Sequence, residues 1–158
     1  MDSPAAPPAK RYYWEDLQPG LVIPLGSTTV TREAVLAFAA QFDPQPFHLD
    51  DAAAEASLFK KLAASGWHTC AMQMRLMCDA YLNDSSSLGS PGIEDLRWLK
   101  PVYPGDTLTG EMSVDQARVM KSRPDVGLVH ANYRLFNQDG EDVLTMQAWG
   151  MFGLRRRA

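Results

Sequence analysis

The stretch Ser65–Tyr81 limits the fold more than any other part of the chain. Ser65 is a good N-cap, and behind it Trp67, Cys70, Ala71, Met74, Met77, Cys78 and Tyr81 recur at helical spacing, with Met72 and Leu76 widening the stripe. A helix apolar over so much of its circumference is expected to be largely buried. After it the periodicity changes from 3.6 to 2. Ile93–Leu99, Thr107–Met120, Leu128–Phe136 and Val143–Phe152 read as strands. In the third of these, Val129, Ala131, Tyr133 and Leu135 share one face, and His130, Asn132 and Arg134 share the other. Asp139-Gly140 marks a hairpin turn, and Asn83–Pro91 reads as a Ser/Gly-rich loop.

Ahead of that helix, Leu21–Val30 reads as a strand that Pro24 places at an edge. Thr31 can cap a helix that carries Ala34, Val35, Phe38 and Ala39 and runs to Phe42. Asp43-Pro44-Gln45-Pro46 cannot continue it, because each proline pushes the residue before it toward extended backbone. A stiff loop carrying His48 follows, and Asp50 and Asp51 open a short Ala-rich helix to about Leu58. One buried helix with one strand before it and four after predicts an α+β domain, an antiparallel sheet wrapped around a central helix. Such a sheet leaves an edge and an open face, so a homodimer or dimer-based oligomer is expected. The 158 residues fit one domain over 11–154, between a Pro/Ala-rich tail, 1–10, and a basic tail, 155–158.

Composition excludes some functions. The net charge is −4, which argues against nucleic acid or an anionic membrane as partner. No run of about 18 apolar residues is present to span a bilayer. Met1–Lys10 lacks the charged and apolar regions of a secretion signal. Cys70 and Cys78 lie eight helical steps apart, roughly 12 Å, too far for a disulfide. Reduced cysteines and no signal place the expectation in the cytoplasm. His48, His68 and His130 show no metal-ligand spacing, so no metal is expected, and no Gly-rich phosphate loop is present. Arg155-Arg156-Arg157 reads as a solvated tail.

The chemistry concentrates in Phe42-Asp43-Pro44-Gln45-Pro46-Phe47-His48-Leu49-Asp50. A carboxylate and an imidazole five residues apart on a proline-stiffened loop can converge on one water, one taking a proton and the other delivering one. Phe42 and Phe47 are then expected to desolvate the pair and raise the Asp43 pKa. The same residues also suit a bland reading, with Asp43 as a turn residue before proline and His48 satisfying backbone groups. Gly66 is equally double. It either lets a carbonyl approach the unpaired N–H groups at a helix start or serves only a tight turn.

The stretch resembles the Asp-x-Asn-Pro-x-His signature of the MaoC-like (R)-specific enoyl-CoA hydratases and dehydratases, with Asp43, Pro46 and His48 on the matching positions. The resemblance continues through Asp50, Ala52–Ala54 and Ser65-Gly66-Trp67, and reaches Lys100-Pro101-Val102-Tyr103-Pro104-Gly105-Asp106-Thr107-Leu108, a phrase common in hot-dog proteins. It implies a hot-dog fold and reversible hydration of a 2-enoyl thioester carried on CoA or an acyl carrier. Asp43 and His48 would be the acid/base pair, with the Gly66 N–H as oxyanion donor. Gln45, Phe47, Ser65, Trp67 and Met74 would contact substrate, and no cofactor would be needed beyond the CoA of the substrate. Three departures stand out. Gln45 replaces the usual Asn, Ser65 a frequent His, and Met74 a Ser of several enoyl hydratases. They leave a branched or dicarboxylic acyl group open. Two other readings compete. A hot-dog thioesterase would place Asp or Glu on the central helix, and none falls between Gly66 and Cys78. A non-catalytic acyl-binding protein would have no need of the Asp43/His48 pair.

Overall fold

The computed structural model describes residues 8–155. Five strands, β1 (Val22–Thr29), β2 (Ser87–Trp98), β3 (Thr107–Val119), β4 (Val126–Phe136) and β5 (Asp142–Gly153), form one sheet in the order β1-β3-β4-β5-β2. Every neighbouring pair is antiparallel. β1 and β2 follow one another among the strands yet occupy opposite edges. The segment between them therefore has to cross the sheet, and it does so as α1 (Arg32–Phe42), α2 (Asp51–Glu55) and α3 (Gly66–Ala80). Leu76 and Met77 of α3 share a core with Ile23 and Leu25 of β1 and with Leu108, Met112, Val129, Leu135 and Leu144 of the sheet. This is the hot-dog arrangement, a sheet packed around one long helix. Among the described residues no helix is long and apolar enough to cross a membrane.

Local chemistry sets the helix starts. Thr31 Oγ1 accepts from Ala34 N–H at 3.2 Å, Asp50 Oδ2 from Ala53 N–H at 2.8 Å, and Ser65 Oγ from Trp67 N–H at 3.3 Å. α2 stops at Glu55, short of Leu58, whose side chain stands in solvent. The β4–β5 hairpin turns at Asn137, whose Oδ1 accepts from the N–H groups of Asp139 and Glu141, each at 3.0 Å.

Two expectations need correction. Residues 83–91 are not all loop: β2 begins at Ser87 and pairs with β5 from Phe152 onward. Its register slips at Gly89, which sits at φ +105, so a Ser/Gly/Pro composition here marks a bulged edge strand. The larger correction concerns α3. Its sheet-facing side is His68, Thr69, Gln73, Leu76 and Met77. Part of the apolar stripe points away: Trp67 is 60% and Met74 46% exposed in the protomer, whereas Leu76, Met77 and Tyr81 lie in the core. Gln73 is fully buried, and neither of its amide atoms has a hydrogen-bond partner in the protein. A helix apolar nearly all round carries no periodicity that tells its two sides apart.

On the outer face of the sheet, His130 is enclosed rather than solvated. Its Nδ1 lies 2.6 Å from Asp115 Oδ1 and its Nε2 3.2 Å from Glu94 Oε2, with Trp149 packed on the ring at 4.9 Å. Asp115 reaches it because β3 bulges between Val114 and Gln116. Burial alone would push His130 down, but the two carboxylates outweigh it and hold the imidazole above its ordinary value of 6.5. A raised folded value means that this stabilisation is complete below pH 6.5 and is lost as pH rises through the folded pKa. His130→Asn should therefore cost about 1 kcal/mol at pH 6 and much less at pH 9, because both carboxylates are half-exposed. Urea unfolding at the two pH values checks this; an equal loss at both would refute the charge assignment.

Candidate active site

Asp43 is the residue at which α1 ends. Its N–H still donates to Ala39 O at 2.9 Å, but Pro44 bars another turn. Pro46 then opens a 3-10 turn, Pro46–His48, that returns His48 toward the end of α1. His48 is buried, and its Nδ1 donates to Ala63 O at 2.7 Å, since a carbonyl only accepts. That bond fixes the ring and turns Nε2 to Asp43 Oδ2, 3.4 Å away. Phe47 and Phe59 pack on the imidazole at 4.6 and 5.6 Å. On the other side of the carboxylate, Gln45 Nε2 donates to Asp43 Oδ1 at 2.7 Å.

The electrostatics reverse one expectation. Asp43 lies below its ordinary value rather than above it. The Gln45 amide is the main cause; burial opposes it, and the Ser65 hydroxyl and the charge of His48 add to it. Phe42 does not desolvate the pair in the protomer, being 65% exposed. The departure at Gln45 thus has a visible consequence, because its extra methylene lets the amide fold back onto the carboxylate two residues earlier.

Beside His48 lies a cavity of about 250 Å³, walled by Phe59, Gly66, Thr69, Trp98 and Lys100 among others. Ser65, buried at the start of α3, adjoins Asp43 through its hydroxyl. Gly66 lines the cavity, but the space a side chain would take there is filled. The Trp98 indole lies across it, with Cε2 2.5 Å from where a Cβ would stand, and Trp98 Nε1 donates to Gly66 O at 3.0 Å. Close packing of an indole is thus one reason for glycine at this position. Trp67 and Met74 do not line the His48 cavity. With Phe38, Phe42, Cys70 and Ile93 they line a separate apolar one of about 550 Å³. Trp98, Thr69 and Phe59 were not legible as site residues, since each is separated in sequence from the Asp43–His48 loop and carries no motif of its own, and Lys100 opens a phrase that speaks only for the fold. Among the described residues no three His, Cys, Asp or Glu side chains are grouped to hold a metal ion.

A proline-hinged carboxylate–imidazole pair beside the N-terminus of a central hot-dog helix defines a class, and sequence comparison agrees. Residues 23–133 match the MaoC-like domain, more than half the chain, and the protein belongs to that family. A MaoC-like dehydratase from Rhodospirillum rubrum is 41% identical, superposes with a TM-score of 0.85, and covers 92% of this chain and 99% of its own. The (R)-hydratase from A. caviae involved in PHA biosynthesis is 27% identical, with a TM-score of 0.70 over 89% of this chain and 99% of that one. Mesaconyl-CoA hydratase of Cereibacter sphaeroides is 40% identical over 80 residues, 51% of this chain but only 22% of that protein.

Two outcomes follow from this geometry. Gly66→Ala should displace Trp98 and cost about 1–3 kcal/mol, the usual range for overpacking. Near-ultraviolet circular dichroism and denaturant unfolding would detect it, and an unperturbed spectrum would contradict the packing. Gln45→Leu removes the donor that most depresses Asp43 and leaves only the Ser65 hydroxyl and His48 to oppose burial. The Asp43 carboxyl should then titrate above its wild-type value, as read by carbon-13 NMR; no upward movement would show that Gln45 does not set it.

Proposed function

We propose that the protein is an acyl-thioester hydro-lyase that adds water across a 2-enoyl-CoA, or removes it, with Asp43 and His48 as the acid/base pair. The observation that carries this reading is the 3.4 Å approach of Asp43 Oδ2 to His48 Nε2, each held by a further hydrogen bond, beside a ligand-sized cavity. The (R)-hydratase and mesaconyl-CoA hydratase among its relatives support it.

In the proposed cycle Asp43 starts as a carboxylate, consistent with its depressed pKa, and His48 as an imidazolium. A water held beside the pair, within reach of both, gives a proton to Asp43 Oδ2 while its oxygen bonds to the β-carbon. The electron pair of the double bond moves to the α-carbon and thioester oxygen, and His48 Nε2–H protonates the α-carbon. The proton on Asp43 then returns to His48, which resets the pair. Proton delivery and removal by placed groups of this kind give about 10²–10⁴ in rate. The developing oxyanion would be met by the Gly66 N–H. This is the first of α3 and faces the positive end of the helix dipole, while Ser65 Oγ takes up the next N–H, that of Trp67. We further propose a homodimer. β2 is an open edge, and Trp67, Met74, Ile93 and Phe42 rim an open apolar hollow that a second copy would roof over without filling.

The test is to follow the conjugated-thioester absorbance of crotonyl-CoA and mesaconyl-CoA, with free thiol measured in parallel. Absorbance should fall without thiol release. Asp43→Asn and His48→Gln should each slow it by about a hundredfold or more while leaving the fold intact. Near-normal hydration by either variant would sink the mechanism, and thiol release outrunning hydration would make the protein a thioesterase.

A further inference from the structure

Resting on the hydratase reading above, we infer that Trp98 sets the acyl length the site accepts, by walling off the His48 cavity from the larger apolar cavity beside it, so that the substrate is a short-chain enoyl thioester. Trp98 lines the cavity of His48, whereas Trp67, Cys70 and Met74 line the apolar one. The two indoles meet edge to face at 5.2 Å and 82°. Cys70, one helical turn beyond Trp67, carries its thiol close to the Trp98 indole N–H. Trp98 and Trp67, edge to face, with Cys70 beside them therefore stand between the two spaces as a partition.

The partition is braced. Trp98 Nε1–H is tied to Gly66 O at 3.0 Å, and Cδ2, Cε2 and Nε1 of the ring all lie within 2.9 Å of the position a Cβ on Gly66 would occupy. The ring can sit so low only because residue 66 has no side chain. Swinging it aside would break that bond and expose the helix start. The two compartments also differ in chemistry. The His48 side, about 250 Å³, includes Thr69 and Lys100, suited to a thioester and its polar carrier. The far side, about 550 Å³, is lined by Phe38, Phe42, Met74, Ile93, Leu96 and their neighbours. A long alkyl chain would gain from burial there, but Trp98 stands between it and the acid/base pair.

The experiment compares kcat/KM for crotonyl-CoA and trans-dec-2-enoyl-CoA in wild type, Trp98→Phe and Trp98→Leu. Trp67→Ala serves as a second opening made from the far side, without touching the Trp98–Gly66 bond. The wild type should favour crotonyl-CoA. The decenoyl-to-crotonyl ratio should rise by at least about tenfold in Trp98→Leu, the scale on which a pocket discriminates by one or more methylenes, and less in Trp98→Phe. Calorimetric binding of saturated butyryl-CoA and decanoyl-CoA to the same proteins reads the partition without turnover. A selective gain for decanoyl-CoA in Trp98→Leu or Trp67→Ala upholds it even if no variant hydrates anything, in which case only the hydratase reading falls. Equal wild-type handling of both chain lengths, or a ratio unmoved in both Trp98→Leu and Trp67→Ala, overturns the inference.

Discussion

Two prolines hold the site together. Pro44 ends α1 at Asp43, and Pro46 turns the chain so that His48 comes back beneath that end. Each ring fixes one φ and restrains its neighbour, so much of the entropy of bringing a carboxylate and an imidazole together is removed before folding begins. What remains is supplied by single hydrogen bonds. Ala63 O orients the imidazole, and Gln45 orients the carboxylate. The six residues Asp43–His48 thus build the pair within a single loop.

The sheet order decides what that loop faces. Because β1 and β2 lie on opposite edges, α3 has to run across the sheet, and its first turn arrives beside His48. The Asp43–His48 loop and the helix N-terminus are therefore brought together by topology. Gly66 serves both the crossing and the cavity: the absence of a side chain lets Trp98 settle on the helix, and the residue itself forms part of the cavity wall.

Much of this was legible in the sequence because the signals were local. Thr31, Asp50 and Ser65 mark helix starts by a side-chain oxygen three or fewer residues from its donor. Pro44 and Pro46 announce the break at Asp43, and Asp139-Gly140 announces the hairpin. What escaped depended on contacts distant in sequence. Which side of α3 meets the sheet is settled by Leu108, Met112 and their neighbours, not by a helix apolar on both sides. The direction of the Asp43 pKa depends on whether the Gln45 amide folds back, a rotamer that no spacing encodes. Trp98 is 32 residues from Gly66, and its seat is visible only once β2 lies beside α3. His130 alternates as a solvent-facing residue should, yet Trp149 and a bulge in β3 enclose it.

The outward side of α3 has a thermodynamic consequence. A protomer that turns Trp67 and Met74 to water while placing Thr69 and Gln73 against its own sheet has left part of its apolar driving force unspent. If a second copy covers that surface, association and folding become one linked equilibrium. Mass action then enters the stability: each tenfold dilution would withdraw free energy from the folded state, and the unfolding midpoint would drift downward with concentration instead of being a fixed property of the chain.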